Sequence, residues 1–401
     1  MTTTATSLQN IYFIFGDPSS LMVFSNLARI VKKNLKDVNT IAIIYEHAYL
    51  KNLDTEQFLD AFDSIHYVPM CDFHRNILSG YVKVIKFKRA IKKIKIEPNS
   101  VIFAFYSMEL TINILLKYVE RFVPDKNIFL FSYSSVLNLI DSKSKFLNFV
   151  NYLYSIIFRA YPMISYVNNK GDLVYRKYKT EPKFSKIELF NPERATTADD
   201  KNGSGSLIRL PYPLVKRPNG AIASKVIVFF GDSTIFDFHP QLDKKFYITK
   251  LNKLMARLKE KCSSNNITLL YKPHPLDNGA LLEGFNMDGF TFFDQKLNAE
   301  MMFSKYWENI IASYSVSSYS IFNGSQYGIP SYWLFPYCFS DEELKSRFHF
   351  VVVEQSSTLL KEVYGPEDMG SIDNLKKELD LNGIEKQWYK AMGNIFKGGI
   401  V

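Results

Sequence analysis

The stretch Leu269-Leu270-Tyr271-Lys272-Pro273-His274-Pro275 is an apolar run that ends in a histidine between two prolines. Because proline disfavours a helical conformation in the residue before it, His274 is expected to be extended at the end of a strand. In open α/β sheets, ligands bind at the carboxyl ends of the strands. The run therefore predicts a titratable side chain at the ligand-binding edge of a sheet. An ordinary strand-to-loop turn with an incidental histidine is the alternative.

The rest of the chain alternates apolar strands with helices. The first half predicts strands at 11–15, 40–45, 64–68, 100–106 and 127–132, and helices at 21–31, 54–62 and 110–121. The second half predicts strands at 225–230, 267–271, 290–293, 310–312 and 330–334, and helices at 242–261 and 316–328. Such alternation implies parallel sheets with right-handed crossovers.

The chain of 401 residues is longer than one typical core and suits two domains. A small, polar stretch at 195–206, followed by three prolines, interrupts the alternation and predicts a surface loop and linker. We therefore expect an N-terminal domain at 1–192, a linker at 193–223 and a C-terminal domain at 224–401. Two Rossmann-like parallel-sheet domains facing across a cleft make an α/β, GT-B-like architecture.

Composition and missing motifs narrow the function. Hydrophobic residues make up 47% of the chain, which argues against disorder. Three scattered cysteines and six histidines without ligand spacing predict a reducing compartment and no metal site. The sequence has no P-loop, no G-x-G-x-x-G, no Asp-x-Asp pair and no G-x-S-x-G elbow. No signal peptide and no membrane span are predicted. A metal-free enzyme that uses a nucleotide-activated donor fits these exclusions.

The net charge of +9 is concentrated in the segment Lys83–Lys95. Seven cations there alternate with apolar residues at helical spacing, which suits an anionic membrane surface. A solvated helix face is the alternative. No nucleic-acid-binding motif accompanies the segment, so no nucleic-acid partner is expected. A second segment, 146–163, is apolar but interrupted by polar residues, and predicts an amphipathic helix in a groove or at an interface.

Three loops that follow strands of the second domain should converge on one sheet edge. Their candidate residues are Gly231, Asp232, Asp237 and His239 in the first loop, Lys272, His274 and Pro275 in the second, and Ser315, Ser317 and Ser318 in the third. A lysine, a histidine and hydroxyls at a helix start together favour phosphate binding. Each loop by itself also fits an ordinary turn or helix cap.

The Gly-Asp loop at 231–232, the His-Pro pair at 274–275 and the serine-rich loop before Gly328-Ile329-Pro330 resemble the bacterial lipooligosaccharide sialyltransferases of glycosyltransferase family 52. The sequence is also similar, more distantly, to the bacterial polysialyltransferases. The resemblance spans most of the chain as a pattern, including the strands at 11–15 and 102–107.

The resemblance implies an inverting, metal-independent transfer of sialic acid, or a related nonulosonic acid. The donor would be CMP-activated, the acceptor an oligosaccharide of a bacterial surface glycan, and no cofactor would be needed. The implied location is cytoplasmic, peripheral on the inner face of the inner membrane. A homodimer is compatible with the sequence.

By the same resemblance, His274 contacts the CMP phosphate and assists its departure, and Ser317 and Ser318 hold that phosphate. Asp232 matches the catalytic base, and Asp237 stays open as its rival because the family's acid comes slightly later after the glycine. Gly231, Lys272, Pro275 and Ser315 complete the expected nucleotide-binding set.

One feature departs from the family, and two other functions stay open. The strand end Phe131-Ser132-Tyr133-Ser134-Ser135 lacks the acidic pair that related enzymes often have. The alternatives are a GT-B transferase with another donor, such as a Kdo transferase or a CDP-polyol phosphotransferase, and a non-catalytic relative.

Overall fold

The computed structural model describes most of the chain. The described residues are 9–35, 37–46, 53–71, 77–105, 110–133, 142–143, 145–167, 173–179, 182–190, 207–215, 224–231, 236, 243–274, 283–294, 296–316, 318, 320–339, 359–369 and 378–396.

The first domain is built on a parallel sheet of seven strands, in the order β10-β9-β5-β4-β1-β2-β3. The strands, with an added antiparallel unit β6-β7-β8, are β1 (Gln9–Phe15), β2 (Val38–Glu46), β3 (Ser64–Pro69), β4 (Val101–Phe105), β5 (Ile128–Tyr133), β6 (Ser142–Lys143), β7 (Met163–Val167), β8 (Leu173–Tyr178), β9 (Ser185–Phe190) and β10 (Leu207–Pro211). The helices are α1 (Pro18–Asn34), α2 (Glu56–Leu59), α3 (Ile77–Ile91), α4 (Leu110–Val119) and α5 (Lys145–Phe158), with a 3₁₀ turn at Asp125–Asn127.

The second domain has a parallel sheet of six strands, in the order β13-β12-β11-β14-β15-β16. These strands are β11 (Val226–Phe230), β12 (Thr268–Lys272), β13 (Phe290–Phe292), β14 (Ile310–Ser315), β15 (Ser331–Trp333) and β16 (Leu360–Glu362). The helices are α6 (Lys244–Ser264), α7 (Ala299–Tyr306), α8 (Ser320–Gln326), α9 (Phe335–Cys338) and α10 (Leu381–Phe396), with a 3₁₀ turn at Pro366–Asp368. The predicted α/β, GT-B-like class is confirmed by these two parallel-sheet domains.

The central strands explain why the sequence selects parallel sheets. Strands β4 and β11 are buried along their whole length and consist only of apolar residues. Continuous apolar runs of this kind suit strands that are covered by helices on both faces. The edge strand β3 exposes His66 and Tyr67 instead. Burial on both faces therefore fixes which strands occupy the centre.

Several sequence predictions need correction. Part of the predicted linker, Leu207–Pro211, is strand β10, which pairs with β9 at the sheet edge, where a strand tolerates proline. The helix predicted at 54–62 is limited to Glu56–Leu59. The strand predicted at 310–312 continues to Ser315, because hydrogen bonding of the serine hydroxyls allows them to be buried. The helix predicted at 316–328 is limited to Ser320–Gln326.

The basic segment also differs from its prediction. Helix α3 ends at Ile91, so Lys92, Lys93 and Lys95 lie beyond the helix. Val84, Phe87 and Ile91 are buried beneath it. The apolar stripe is therefore confirmed within α3, while the basic face extends into the turn that follows.

The C-terminal helix α10 falls within the sequence boundaries of the second domain but packs on the first, against α1 and β10. Its Trp388 is fully buried and stacks on Phe131 of β5 at a centroid distance of 6.0 Å. The indole Nε1 donates a hydrogen bond to the carbonyl of Pro211, 2.9 Å away. Trp388 therefore fastens the end of the chain to the first sheet.

Among the described helices, none has both the length and the apolar character that crossing a bilayer requires.

Replacing Trp388 with alanine should lower the free energy of unfolding by about 3–5 kcal/mol, because the substitution leaves a large cavity and an unpaired carbonyl. The neighbouring Tyr389 is 49% exposed, and its replacement with alanine should change stability by less than about 0.5 kcal/mol. Urea unfolding of both variants measures the difference. Equal effects would show that Trp388 does not anchor α10.

Candidate functional site

The site is defined by the strand order of the second sheet. Strand β11 lies between β12 and β14, and successive strands are added on opposite sides of it. At such a reversal, the loops at the carboxyl ends of the two central strands diverge and leave a crevice that binds ligands. Phe230 at the end of β11 is in register with Lys272 and with Ser315. The sheet therefore brings all three predicted loops to one edge.

Gly231 begins the first loop directly after β11. Its backbone N–H donates to the carbonyl of Lys272 at 2.9 Å, which holds the loop against β12. A Cβ atom at this position would lie 2.2 Å from the hydroxyl oxygen of Tyr271, whose side chain is buried. Glycine is thus required here by close packing.

The structure describes two of the three residues predicted in the second loop, Lys272 and His274. His274 follows β12 and is half-buried. Lys272 is only 2% exposed, and its Nζ donates to the carbonyl of Pro273 at 2.9 Å. The Lys272 ammonium group is therefore part of the sheet edge and is not presented at the surface.

The serines of the third loop have structural partners. Ser315 is buried, and its Oγ accepts a hydrogen bond from the backbone N–H of Ser318 at 2.9 Å. The Oγ of Ser318 donates to the Oγ of Ser320 at 2.8 Å. These bonds shape the turn into α8 and leave Ser318 half-buried at the sheet edge.

The close packing of α8 on the sheet explains why Ser313 is buried. The Oγ atoms of Ser313 and Ser331 lie 2.8 Å apart in the core, beneath Gly324 of α8. A Cβ at Gly324 would come within 2.7 Å and 2.8 Å of these two oxygens. Ser313 therefore holds α8 close to the sheet and is not a ligand-binding residue.

Several predicted residues fall outside the described part of the chain: Asp232, Asp237, His239, Pro275 and Ser317. Their roles stay predictions. The residues that the structure does bring to one edge are Gly231, Lys272, His274, Ser315 and Ser318.

The opposite wall of the cleft comes from the first domain, whose sheet order also reverses beside β1. Asp17 follows β1 and caps α1, with its Oδ1 accepting from the N–H of Ser20 at 2.9 Å. Ser19 Oγ donates to Oε1 of Glu300, in the first turn of α7, at 2.6 Å. This bond joins the carboxyl edges of the two sheets.

Glu300 is the titratable residue that sequence reasoning missed. Burial is the main cause that raises its pKa above the ordinary value of 4.5, and the charge of Asp17 adds to the effect. Hydrogen bonds from Ser19 and Asn323 oppose it. The carboxyl group of Glu300 therefore lies where the domains meet, and its proton is held more tightly than that of an ordinary glutamate.

A repeated tripeptide in the sequence points to the first-domain side of the site. Phe15-Gly16-Asp17 and Phe230-Gly231-Asp232 are the same tripeptide, each after a central strand. Gly16 is required for the same reason as Gly231, because a Cβ there would lie 2.0 Å from the ring of Tyr45. No comparable motif marks Glu300, because its partner Ser19 is 281 residues away in the chain.

Comparisons with known proteins show similarity of structure but not of sequence. No protein-family model matches the chain, and no curated protein matches it in sequence. A solved UDP-N-acetylglucosamine 2-epimerase is 10% identical with a TM-score of 0.48, covering 99% of this chain and 98% of its own. The calicheamicin glycosyltransferase CalG4 is 9% identical with a TM-score of 0.47, covering 98% and 96%. A UDP-GlcNAc 2-epimerase from Neisseria meningitidis, bound to UDP-GlcNAc, is 11% identical with a TM-score of 0.46, covering 98% and 96%. The sheets described above define the fold.

Gly231→Ala should lower the free energy of unfolding by about 1–3 kcal/mol, because the new methyl group displaces the buried ring of Tyr271. Gly393→Ala is the matched control. Nothing lies within 4 Å of its added Cβ, and alanine favours a helix by up to about 1 kcal/mol. Chemical denaturation of the two variants measures both effects. A neutral Gly231→Ala variant would contradict the close packing.

Glu300→Gln should change how stability depends on pH. Because the folded-state pKa of Glu300 is raised, the wild type loses unfolding free energy as pH rises from the unfolded value through the folded one. The glutamine variant lacks this loss. The melting temperature of the variant should therefore rise relative to that of the wild type as pH increases. Ser19→Ala removes a hydrogen bond that lowers the pKa and should extend the loss to higher pH. Parallel melting curves across the pH range would contradict the raised pKa.

Proposed function

We propose that this chain transfers sialic acid, or a related nonulosonic acid, from a CMP-activated donor to an oligosaccharide acceptor of a bacterial surface glycan. The observation that carries the proposal is the meeting of Gly231, His274 and Ser318 at the point where the second sheet reverses its strand order. In doubly wound sheets, this crevice binds nucleotides. The motif resemblance described above supports CMP as the nucleotide.

The arrangement divides the substrates between the domains. The donor phosphate belongs at the edge of the second sheet, where His274 supplies a hydrogen-bond donor and the hydroxyl of Ser318 turns from Ser320 to the phosphate. The buried ammonium group of Lys272 adds positive charge beneath the same edge. The acceptor enters from the first-domain wall, which carries Asp17 and Ser19. Fixed donors around a departing phosphate supply much of the stabilisation in such a transfer.

The proposed reaction is a single displacement. An acceptor hydroxyl attacks the anomeric carbon of the sialic acid, and the bond from that carbon to the CMP phosphate oxygen breaks with inversion. Asp232, or Asp237 in its place, takes the hydroxyl proton as general base. His274 stabilises the phosphate charge of the departing CMP by donating a hydrogen bond. The resemblance implies that no metal ion takes part in this step.

His274→Ala should lower CMP release from CMP-sialic acid by about 10²–10⁴-fold, the usual contribution of a positioned proton donor or acceptor. Asp232→Asn and Asp237→Asn should differ in activity. One of them should abolish transfer, and the other should leave it nearly intact. His66→Ala is the matched control, because His66 is exposed on the distant edge strand β3. CMP release is followed with lactose-type and sialoside acceptors, and turnover should survive a metal chelator.

Calorimetry with CMP makes the outcomes distinguishable. Wild-type binding of CMP without turnover of CMP-sialic acid would contradict the proposed donor and point to another CMP-linked sugar. A wild type that does not bind CMP would contradict the sialyltransferase assignment altogether. Loss of activity in His66→Ala would show that the effect of His274→Ala is not specific to the site.

A further inference from the structure

Helix α5 directs two asparagines and its last residue, Phe158, toward the protein, and an apolar side outward. Asn151 donates from Nδ2 to the Oγ of Ser165 on β7 at 2.7 Å. Asn148 accepts from the backbone N–H of the same serine at 2.6 Å. A surface helix of a globular protein ordinarily buries its apolar stripe and exposes its polar one. Helix α5 departs from that arrangement, because its apolar stripe is exposed.

The outward face of α5 is a continuous apolar stripe. Its six residues are between 39% and 72% exposed in the described part of the chain, namely Phe146, Phe149, Tyr152, Leu153, Ile156 and Ile157. At 100° per residue they cover an arc of about 140°. Contiguous apolar surface of this kind marks an interaction site. Asn148 and Asn151 fix the other side of α5 to the protein by hydrogen bonds, so the stripe faces outward in the folded state.

The basic helix α3 contacts the C-terminal end of α5. Lys88 Nζ donates to the carbonyl of Phe158, the last residue of α5, at 2.8 Å, and lies 5.5 Å from the centre of its ring. Tyr81 of α3 stacks obliquely on the same ring, with centroids 5.8 Å apart. Tyr81 and Val82 are about half exposed and add apolar surface on α3, near this end of α5.

Exposed cations lie on both helices and just after each of them. They are Lys83, Lys86, Arg89, Lys92, Lys93, Lys95, Lys145 and Arg159. Of the acids close by, Glu120 is engaged within the protein, by Lys117 and by the hydroxyl of Tyr161, whereas Glu97 is exposed. The patch therefore combines exposed aromatic and aliphatic side chains with a positive rim.

We propose that this face docks on the surface of an anionic phospholipid bilayer. Helix α5 would lie in the plane of the interface with Phe146, Phe149 and Ile156 among the acyl chains, and the cations of α3 would contact lipid phosphates. A helix with one apolar face and a basic border binds membranes in this way. The inference is independent of the proposed transfer reaction, because no residue of the candidate site belongs to this face.

The charge pattern favours lipid over a second copy of the chain. Two copies paired through α5 would bring their positive borders together, and like charges across an interface oppose association. An anionic bilayer supplies the complementary charge to every cation of the border at once. The apolar and the charged parts of the patch then have the same partner.

The apolar part is tested with the double variant Phe149→Ser and Ile156→Ser. Sedimentation measures binding of the full chain to vesicles of phosphatidylcholine with and without phosphatidylglycerol. The variant should bind at least about tenfold more weakly than the wild type to the anionic vesicles, since two inserted side chains are lost. Tyr389→Ser, at an exposed aromatic residue on α10, should bind like the wild type. Both substituted residues of the double variant are exposed, so folding is checked simply by melting temperature.

The charged part is tested with Lys92→Glu and Lys93→Glu together. Replacing two surface cations by anions should weaken binding to the anionic vesicles by at least about thirtyfold, and added salt should weaken wild-type binding in the same direction. Lys244→Glu with Lys245→Glu, an exposed pair on α6, is the control and should have no effect.

Three results would overturn the proposal. The first is a wild type that does not bind anionic vesicles. The second is an apolar double variant that binds them as well as the wild type does. The third is a wild-type dimer that the apolar variant converts to a monomer without change in vesicle binding, which would assign the face to a second copy. His274→Ala should keep full vesicle binding, which separates this test from that of the transfer reaction.

Discussion

The burial of helix α1 from all sides is the constraint on which the arrangement of the two domains depends. Residues Ser20 to Ala28 are all buried, although α1 directly follows a loop at the cleft. The helix packs on its own sheet, on α10 from the end of the chain and on α7 of the second domain. Asn26 donates to the carbonyl of Pro213 at 2.9 Å, which fixes the chain as it leaves the first sheet. Because α1 begins at the carboxyl edge of the first sheet, its position brings that edge to the second domain.

This placement gives the candidate site its two walls. The second sheet contributes the strand reversal with Gly231 and His274, and the first contributes Asp17 and Ser19. Each half has the same Phe-Gly-Asp sequence, and in each a tyrosine side chain of the adjacent strand excludes any residue larger than glycine. The hydrogen bond from Ser19 to Glu300 connects the two walls at one point. A fixed approach of this kind suits a reaction that needs both substrates in one orientation.

The sequence predicted what depends on local apolar pattern and missed what depends on distant partners. Strands such as β4 and β11 were recognisable because burial on both faces requires an uninterrupted apolar run. Ser313 and Ser315 resembled a polar turn, and only their partners Ser331 and Ser318 allow them to be buried in a strand. The return of α10 to the first domain depends on Trp388 meeting Phe131 and Pro211, which no local pattern encodes. Glu300 escaped for the same reason, since its partner Ser19 is 281 residues away. The loop convergence at 231, 274 and 318 was predictable, because strand alternation alone places such loops at one edge.

The central claim is that a CMP-linked donor occupies the point of strand reversal in the second sheet. Hydrogen–deuterium exchange of the full chain, with and without CMP, tests this most directly, because it maps the nucleotide onto the backbone without relying on turnover. The account predicts slower exchange confined to peptides around 227–236, 270–276 and 313–322. Protection restricted to the first domain, or no change at these three segments while CMP is bound, would contradict it.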